Sequence, residues 1–217
     1  MNSYIVLGLG RFGKAFAKTL SDLGHDVLGV DKNPEIVQEV SEDLAHVITS
    51  EISNEDFLKS IGVSNFDAAI VAIGNDLQSS ILTTALLKEL GAKYIISKAQ
   101  NDLHAKVLMT VGANRVIFPE RDMAIRVANN LASHNIIDSI QLSGDYSIME
   151  TNIPEPWIGK TITELAIRAK YRVNILAVRK GDVLNISPGA DYVFKDDDIV
   201  SIMGKNKDLK DLQYIKK

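Results

Sequence analysis

The stretch Tyr4-Ile-Val-Leu-Gly8-Leu-Gly10-Arg-Phe-Gly13, followed downstream by Leu28-Gly-Val-Asp31, decides the fold of this chain. A short apolar strand runs into Gly8-x-Gly10-x-x-Gly13. A helical stretch then leads to a second apolar strand that ends on an acid. Each part has a job in holding a nucleotide. Gly8 permits the tight strand-to-helix turn, Gly10 lets a phosphate approach the backbone, and Gly13 lets the helix pack on the strand. The helix start offers free N–H groups and the positive end of the dipole to phosphates. Asp31 is placed to accept hydrogen bonds from ribose hydroxyls, and its charge repels a 2′-phosphate, which disfavours NADP. It does not separate ATP, ADP and NAD. The rival reading, a glycine-rich turn without a ligand, leaves Asp31 as a chance strand-end residue.

Working outward, residues up to 118 alternate between apolar strands and amphipathic helices. Strands are expected at Tyr4–Leu9, Asp26–Val30, His46–Thr49, Ala68–Ile73, Tyr94–Lys98 and Arg115–Phe118. Helices are expected near Arg11–Leu23, Pro34–Glu42, Asn54–Ile61, Leu77–Leu90 and Leu103–Val111, several closing on a glycine as helix ends do. Such alternation predicts an α/β, doubly wound parallel sheet covered on both faces, with the nucleotide at the carboxyl ends of the strands. Pro119 opens a further helix from Glu120 to about Ser133, and Asp138–Gly144 reads as a connector with a short strand. Beyond it, short strands at Ser147–Thr151, Asn174–Arg179, Val183–Ile186 and Ile199–Met203 surround one helix at Thr163–Lys170. A last helix covers Lys207–Leu212. The expected organisation is a nucleotide-binding domain over 1–137 and a smaller α+β domain over 138–217.

Composition narrows the function. The 217 residues are 46% hydrophobic and 24% charged, enough to bury a real core. A net charge of −4 argues against a nucleic-acid surface, and no basic run favours an anionic membrane. Cysteine is absent, which removes disulfides, thiolate chemistry and cysteine zinc sites and fits a cytoplasmic setting. The longest apolar run, Ala68–Gly74, is far short of a membrane span, and the N-terminus does not read as a signal peptide. Direct membrane insertion is not expected.

A Rossmann domain of this kind invites the reading of an NAD-dependent oxidoreductase. That class carries a substrate domain with a general acid or base. The C-terminal lobe has no histidine: the four are His25, His46, His104 and His134. The first two read as structural and the last two as solvated helix faces. No HExxH, CxxC, GxSxG or Walker A segment occurs. Sensing a nucleotide, not turning one over, is the expected role.

Gly8-Leu-Gly-Arg-Phe-Gly13, Val30-Asp-Lys-Asn33, Ala72-Ile-Gly74, Lys98-Ala-Gln-Asn101 and Phe118-Pro-Glu-Arg-Asp122 stand in the order and spacing of the RCK (regulator of K⁺ conductance) family. Ile167-Arg-Ala-Lys-Tyr171 and Ser187-Pro-Gly-Ala-Asp191 with Asp196-Asp-Asp-Ile-Val200 resemble that family's C-terminal half. Essentially the whole chain resembles the family, especially its Ktr-type gating subunits of bacterial potassium uptake systems. The resemblance implies two RCK domains, homodimers assembling into an octameric ring, and an integral-membrane potassium-translocating partner. It implies ATP or ADP in the N-lobe, with Mg²⁺ or Ca²⁺ beside ATP, and cyclic di-AMP in the C-lobe. The alternative within the fold is an NAD(H)-responsive regulator of a Trk-type transporter or an antiporter.

The resemblance also distributes roles. Gly8, Gly10, Arg11, Phe12 and Gly13 form the phosphate loop, with Arg11 on a phosphate or simply solvated. Asp31, Lys32 and Asn33 border the ribose, although Asn33 equally suits an Asn-Pro turn. Glu51 takes an adenine-side slot or is a surface glutamate. Ile73, Gly74 and Asn75 form a pocket rim. Lys98 faces phosphate or caps the sheet. Glu120 starts a helix well and matches the family's carboxylate near the γ-phosphate, where a divalent cation would bridge. In the C-lobe, Arg168 and Asn174 match phosphate-contacting positions, with Ile162, Ile175 and Pro188 near adenine; a lobe without ligand is the alternative. The turn Asp196–Asp198 is a cation candidate or a solvated turn.

Overall fold

The computed structural model describes residues 1–132 and 136–213. His134 and the expected helix end at Ser133 lie outside the described residues. By contacts the chain divides into two compact units, Met1–Arg121 and Asp122–Lys217.

The first unit runs β1 (Ser3–Leu7), α1 (Arg11–Asp22), β2 (Asp26–Asp31), α2 (Pro34–Val40), β3 (His46–Thr49), α3 (Glu55–Ser60), β4 (Ala68–Val71), α4 (Leu77–Glu89), β5 (Ile95–Lys98), α5 (Asp102–Val111) and β6 (Arg115–Ile117). α6 (Pro119–Ala132) starts in it and continues into the second unit. The six strands are parallel in the order β3-β2-β1-β4-β5-β6. Strand order reverses between β1 and β4, which makes their carboxyl ends the switch point. The sheet is buried on both faces because its central strands are apolar on both. Ile5 and Leu7 of β1, with Ala69 and Val71 of β4, pack into one core with Leu58, Leu86 and Leu87. Val6, Ala68 and Ile70 face the opposite core with Ala17, Val40 and Leu44. The strands stop earlier than the apolar runs predict: Leu9 and Ile73 lie past the ladder, in turns where the chain leaves the sheet.

The second unit adds β7 (Ile136–Gln141), β8 (Tyr146–Asn152), α7 (Ile162–Leu165), α8 (Ile167–Tyr171), β9 (Asn174–Lys180), β10 (Val183–Ile186), β11 (Ile199–Lys205) and α9 (Asn206–Gln213). Its sheet is antiparallel, in the order β10-β9-β11-β8-β7. Trp157, fully buried, centres the core, with Phe194 and Tyr171 rings at 5.6 and 5.4 Å. Two expectations change here. The connector at 138–144 is largely strand β7, whose register on β8 shifts between Ile136 and Asp138; that bulge breaks the alternation a strand reading needs. The single helix expected over Thr163–Lys170 is two short ones, because Ala166 adopts a left-handed φ of 43°. Leu165 and Ile167 lie roughly 200° apart on an unbroken helix; the break turns both into the same core. Among the described residues no helix is long and apolar enough to cross a membrane.

Candidate functional site

The glycine loop is built by close approach. Gly8, at φ 97°, donates its N–H to the Val30 carbonyl at 2.8 Å, and a Cβ there would meet the Ala72 backbone at 3.2 Å. A Cβ on Gly13 would lie 1.8 Å from the Gly8 carbonyl oxygen, so only glycine lets α1 start this close to the loop. Gly10 differs: nothing lies within 4 Å of the place its Cβ would take. It is the N-cap residue of α1, yet no side chain caps the helix and its first turn carries no acid. The open N–H groups and the positive helix end therefore meet unfilled space beside Gly10, an anion-binding arrangement.

Asp31 ends β2 only 8% exposed, and its carboxylate is already engaged. One oxygen accepts the Leu9 N–H at 2.7 Å and the other the Asn33 N–H at 2.9 Å. Each oxygen keeps a further lone pair, which is what a ribose hydroxyl would use. Asn33 caps α2, its Oδ1 accepting the Glu35 N–H at 2.9 Å, and its amide NH₂ is left to donate to a ligand. Glu51 follows β3, two residues beyond Thr49, the parallel partner of Asp31. Its exposed carboxylate accepts the Ser53 hydroxyl at 3.3 Å. Phe12 and Ile73 pack on the two cores and shape the rim from beneath.

Across the switch point stands a charged cluster. The Lys98 ammonium pairs with the Glu120 carboxylate and lies 3.9 Å from the place a Gly74 Cβ would occupy. The Lys98 side chain is 11% exposed and that of Glu120 71%. Hydrogen bonding from Lys98, with the charge of Arg11 as a lesser cause, holds the Glu120 carboxyl below the usual carboxylate range. Arg11, Lys98 and Glu120 are thus neighbours, though far apart in sequence. Gln100 donates its side-chain amide to the Gly74 carbonyl and so fixes the rim. Asp76, just beyond Gly74, caps α4 by accepting the Ser79 N–H at 2.9 Å; that bond, with Lys32 nearby, holds its carboxyl low. Sequence reasoning passed over Asp76, although Asp-x-x-Ser ahead of an apolar helix is the signature of an N-cap. Asn75 is exposed at the same rim.

In the second unit Arg168 donates its Nε–H to Asn174 Oδ1 at 2.8 Å. Ile162 and Ile175 are half-buried against one core, and the Ser187 N–H donates to the Leu176 carbonyl, which seats Pro188 beside β9. The acidic turn is structural: buried Asp198 accepts the Tyr192 hydroxyl at 2.8 Å and the Lys195 N–H at 2.9 Å, while Asp197 pairs with Lys180 at 2.9 Å. The described residues contain no group of three metal-ligating side chains. Beside Arg11 and Lys98, Glu120 offers a single exposed carboxylate already held by an ammonium, so this chain's own residues do not fit a resident divalent cation.

The TrkA-N domain family matches residues 4–119 and the TrkA-C domain family residues 148–215. The Bacillus subtilis Ktr system potassium uptake proteins C and A are each 42% identical to this chain, over 95% of it and 93% of their own length. Among solved structures, the GsuK channel superposes with a TM-score of 0.70 at 21% identity, covering 99% of this chain and 39% of the channel chain. At that identity the likeness speaks for the fold alone.

Proposed function

The chain belongs to the RCK family, a TrkA-N domain followed by a TrkA-C domain, and from that premise we propose that it is a nucleotide-sensing regulatory subunit of a bacterial potassium uptake system. One observation carries the reading: the uncapped start of α1 opens beside Gly10 onto empty space, with the Asp31 carboxylate at the neighbouring strand end. That arrangement suits a ribose and its phosphates. The GsuK channel, which shares the fold, has been solved bound to NAD and bound to ADP, and this supports an adenine nucleotide here.

ATP and ADP compete for the pocket in this proposal. Adenine and ribose contacts are common to both, so a difference must arise where the terminal phosphate reaches. Arg11 and Lys98 are the cations available, and Glu120 holds Lys98 in the free protein. A γ-phosphate would compete with Glu120 for that ammonium; a diphosphate, being shorter, would leave the pair intact. A nucleotide shifts a conformational equilibrium only through such differential interaction. A divalent cation beside Glu120 would need most of its ligands from the nucleotide, and this discrimination works without it.

Assembly is part of the proposal. Met123, Val127 and Leu131 are 55, 47 and 80% exposed at four-residue spacing on α6, an apolar stripe suited to packing on a second copy. A homodimer built there, dimers joined into an octameric ring, and a membrane potassium-translocating subunit above the ring complete the reading, with the protein peripheral to the cytoplasmic membrane face. It performs no catalysis. In the C-lobe the Arg168–Asn174 pair is the proposed phosphate contact for cyclic di-AMP, with Ile162, Ile175 and Pro188 beside the base.

The test is thermal melting with ATP, ADP, NADH and cyclic di-AMP in turn. A ligand at 100 times its Kd stabilises by about 2.7 kcal/mol, so ATP and ADP each raise the midpoint. Stabilisation by NADH alone turns the assignment to the NAD(H)-responsive regulators. No shift with any of the four overturns it.

A further inference from the structure

The sequence reads His104 as a solvated helix face, but in the fold it is 4% exposed, on the first turn of α5. Its Nδ1 accepts the Gln100 N–H at 3.4 Å, and its backbone N–H donates to the Asn101 side chain at 2.9 Å. With Nδ1 accepting, the proton of the neutral ring sits on Nε2, which is buried with no hydrogen-bond partner among the described residues. Gln100 carries the contact onward, since its side-chain amide donates to the Gly74 carbonyl at the rim of the proposed pocket. His104 therefore reaches the rim through one residue.

Protonation would oppose this arrangement in three ways. Nδ1 would turn from acceptor to donor and confront the Gln100 N–H. A positive charge would stand in the first turn of a helix, against the dipole. That charge would also be buried, and burial alone already pushes the His104 imidazole below the ordinary histidine value. The charged groups around it do not offset this. Asp102 pairs with Arg121 and Lys98 with Glu120, while Lys106 of the same helix is exposed. α5 packs on α4 and β6, whose charged residues lie toward its other end: Lys88 against Gly112, Glu89 beside it, and Arg115 at the start of β6.

We propose that His104 is a positioning residue for the pocket rim, and that its protonation releases Gln100 from the Gly74 carbonyl and loosens the rim in acid. Opening the turn lets the imidazolium meet water, which relieves all three penalties together. A lowered folded pKa means that the closed turn is fully favoured above the ordinary histidine value of about 6.5. It is lost as pH falls through the lower folded value. Weaker adenine-nucleotide binding in acid is the consequence. That consequence rests on the nucleotide reading of the first unit, whereas the release itself does not.

The test follows hydrogen exchange over residues 72–78 and 99–104 without ligand, and ADP affinity, from about pH 8 to about pH 5. It compares the wild-type chain with His104→Asn and Gln100→Ala. Asparagine offers an acceptor oxygen near the place of Nδ1 and does not titrate, so it keeps the turn closed. Comparison with it at each pH cancels the pH dependence of intrinsic exchange and of the ADP phosphates. At the acid end the wild type should lose protection in both segments and bind ADP about threefold or more weakly than His104→Asn, as loss of one hydrogen bond implies. Gln100 is exposed, so Gln100→Ala keeps the fold. It should show the loosened 72–78 segment at every pH, with no further acid loss there. Parallel exchange profiles in wild type and His104→Asn overturn the proposal, and so does a wild-type acid loss over 72–78 in Gln100→Ala. Should His104→Asn not fold, the Gln100→Ala profile decides alone. If no protein binds ADP at any pH, the nucleotide reading fails while exchange still decides the release.

Discussion

The Asp31 carboxylate accepts the Leu9 backbone N–H at 2.7 Å, tying the end of β2 to the glycine loop. The acid proposed to hold the ribose is also the acid that shapes the loop where phosphates would lie. Leu9 is 1% exposed, so its N–H has no water to turn to. Binding and stability are therefore coupled at Asp31 and separable at Gly10.

Asp31→Ala should lose both. An orphaned buried N–H costs about 1–3 kcal/mol, which lowers the melting midpoint, and adenine nucleotides should no longer raise it. Gly10→Asp should lose binding alone, because its Cβ enters open space while its charge opposes phosphate. Calorimetric melting with and without ATP separates the two, and an Asp31→Ala protein as stable as wild type would sink the loop-shaping role.

At Glu120 the expected effect is on selectivity. Glu120→Gln frees Lys98 from a competing carboxylate, so ATP affinity in chelator should rise severalfold while ADP changes little. The folded protein should lose some stability too, because Lys98, only 11% exposed, is left without its charge partner. Titrations with both nucleotides decide the matter, and equal changes for the two would return Glu120 to a plain helix-starting acid.

Burial first, and then the Asp198 carboxylate, push the Tyr192 hydroxyl up to about 12. A raised folded pKa means that the stability from this bond is fully present below the ordinary tyrosine value of about 10. It is lost as pH rises through about 12. Chemical denaturation from about pH 8 to about pH 11 should show a falling midpoint in wild type. Tyr192→Phe should start lower by about 1–3 kcal/mol, the cost of under-satisfying buried Asp198, and lose that part of the slope. A variant with the wild-type slope would place the titration elsewhere.

Self-association is checked on the α6 stripe. Light scattering of the wild type should give a mass several times 23.8 kDa. Met123→Glu/Val127→Glu should reduce it, because both exchanges set charge into an apolar seam. A wild-type monomer under every nucleotide condition counts against the ring.

Local chemistry made the first unit legible. The glycine spacing, the alternation of apolar strands with helices and the acid at Asp31 are constraints between near neighbours, and the chain alone expresses them. The second unit was less so: a bulge hid β7, and a left-handed Ala166 divided one expected helix, because core packing overrode the local pattern. What only tertiary structure decided is the set of partners. Asp31 is engaged with Leu9 and Asn33, and one oxygen of Asp198 accepts from both Tyr192 and Lys195. Lys98 meets Glu120 beside Arg11 because β1 and β4 adjoin at the switch point and β5 and β6 follow in order. Gln100 links His104 to the Gly74 carbonyl only because β4 and β5 pair. Periodicity and spacing act over a few residues, whereas electrostatics acts through space, so the sequence by itself determined which groups exist and the folded chain decided which of them face one another.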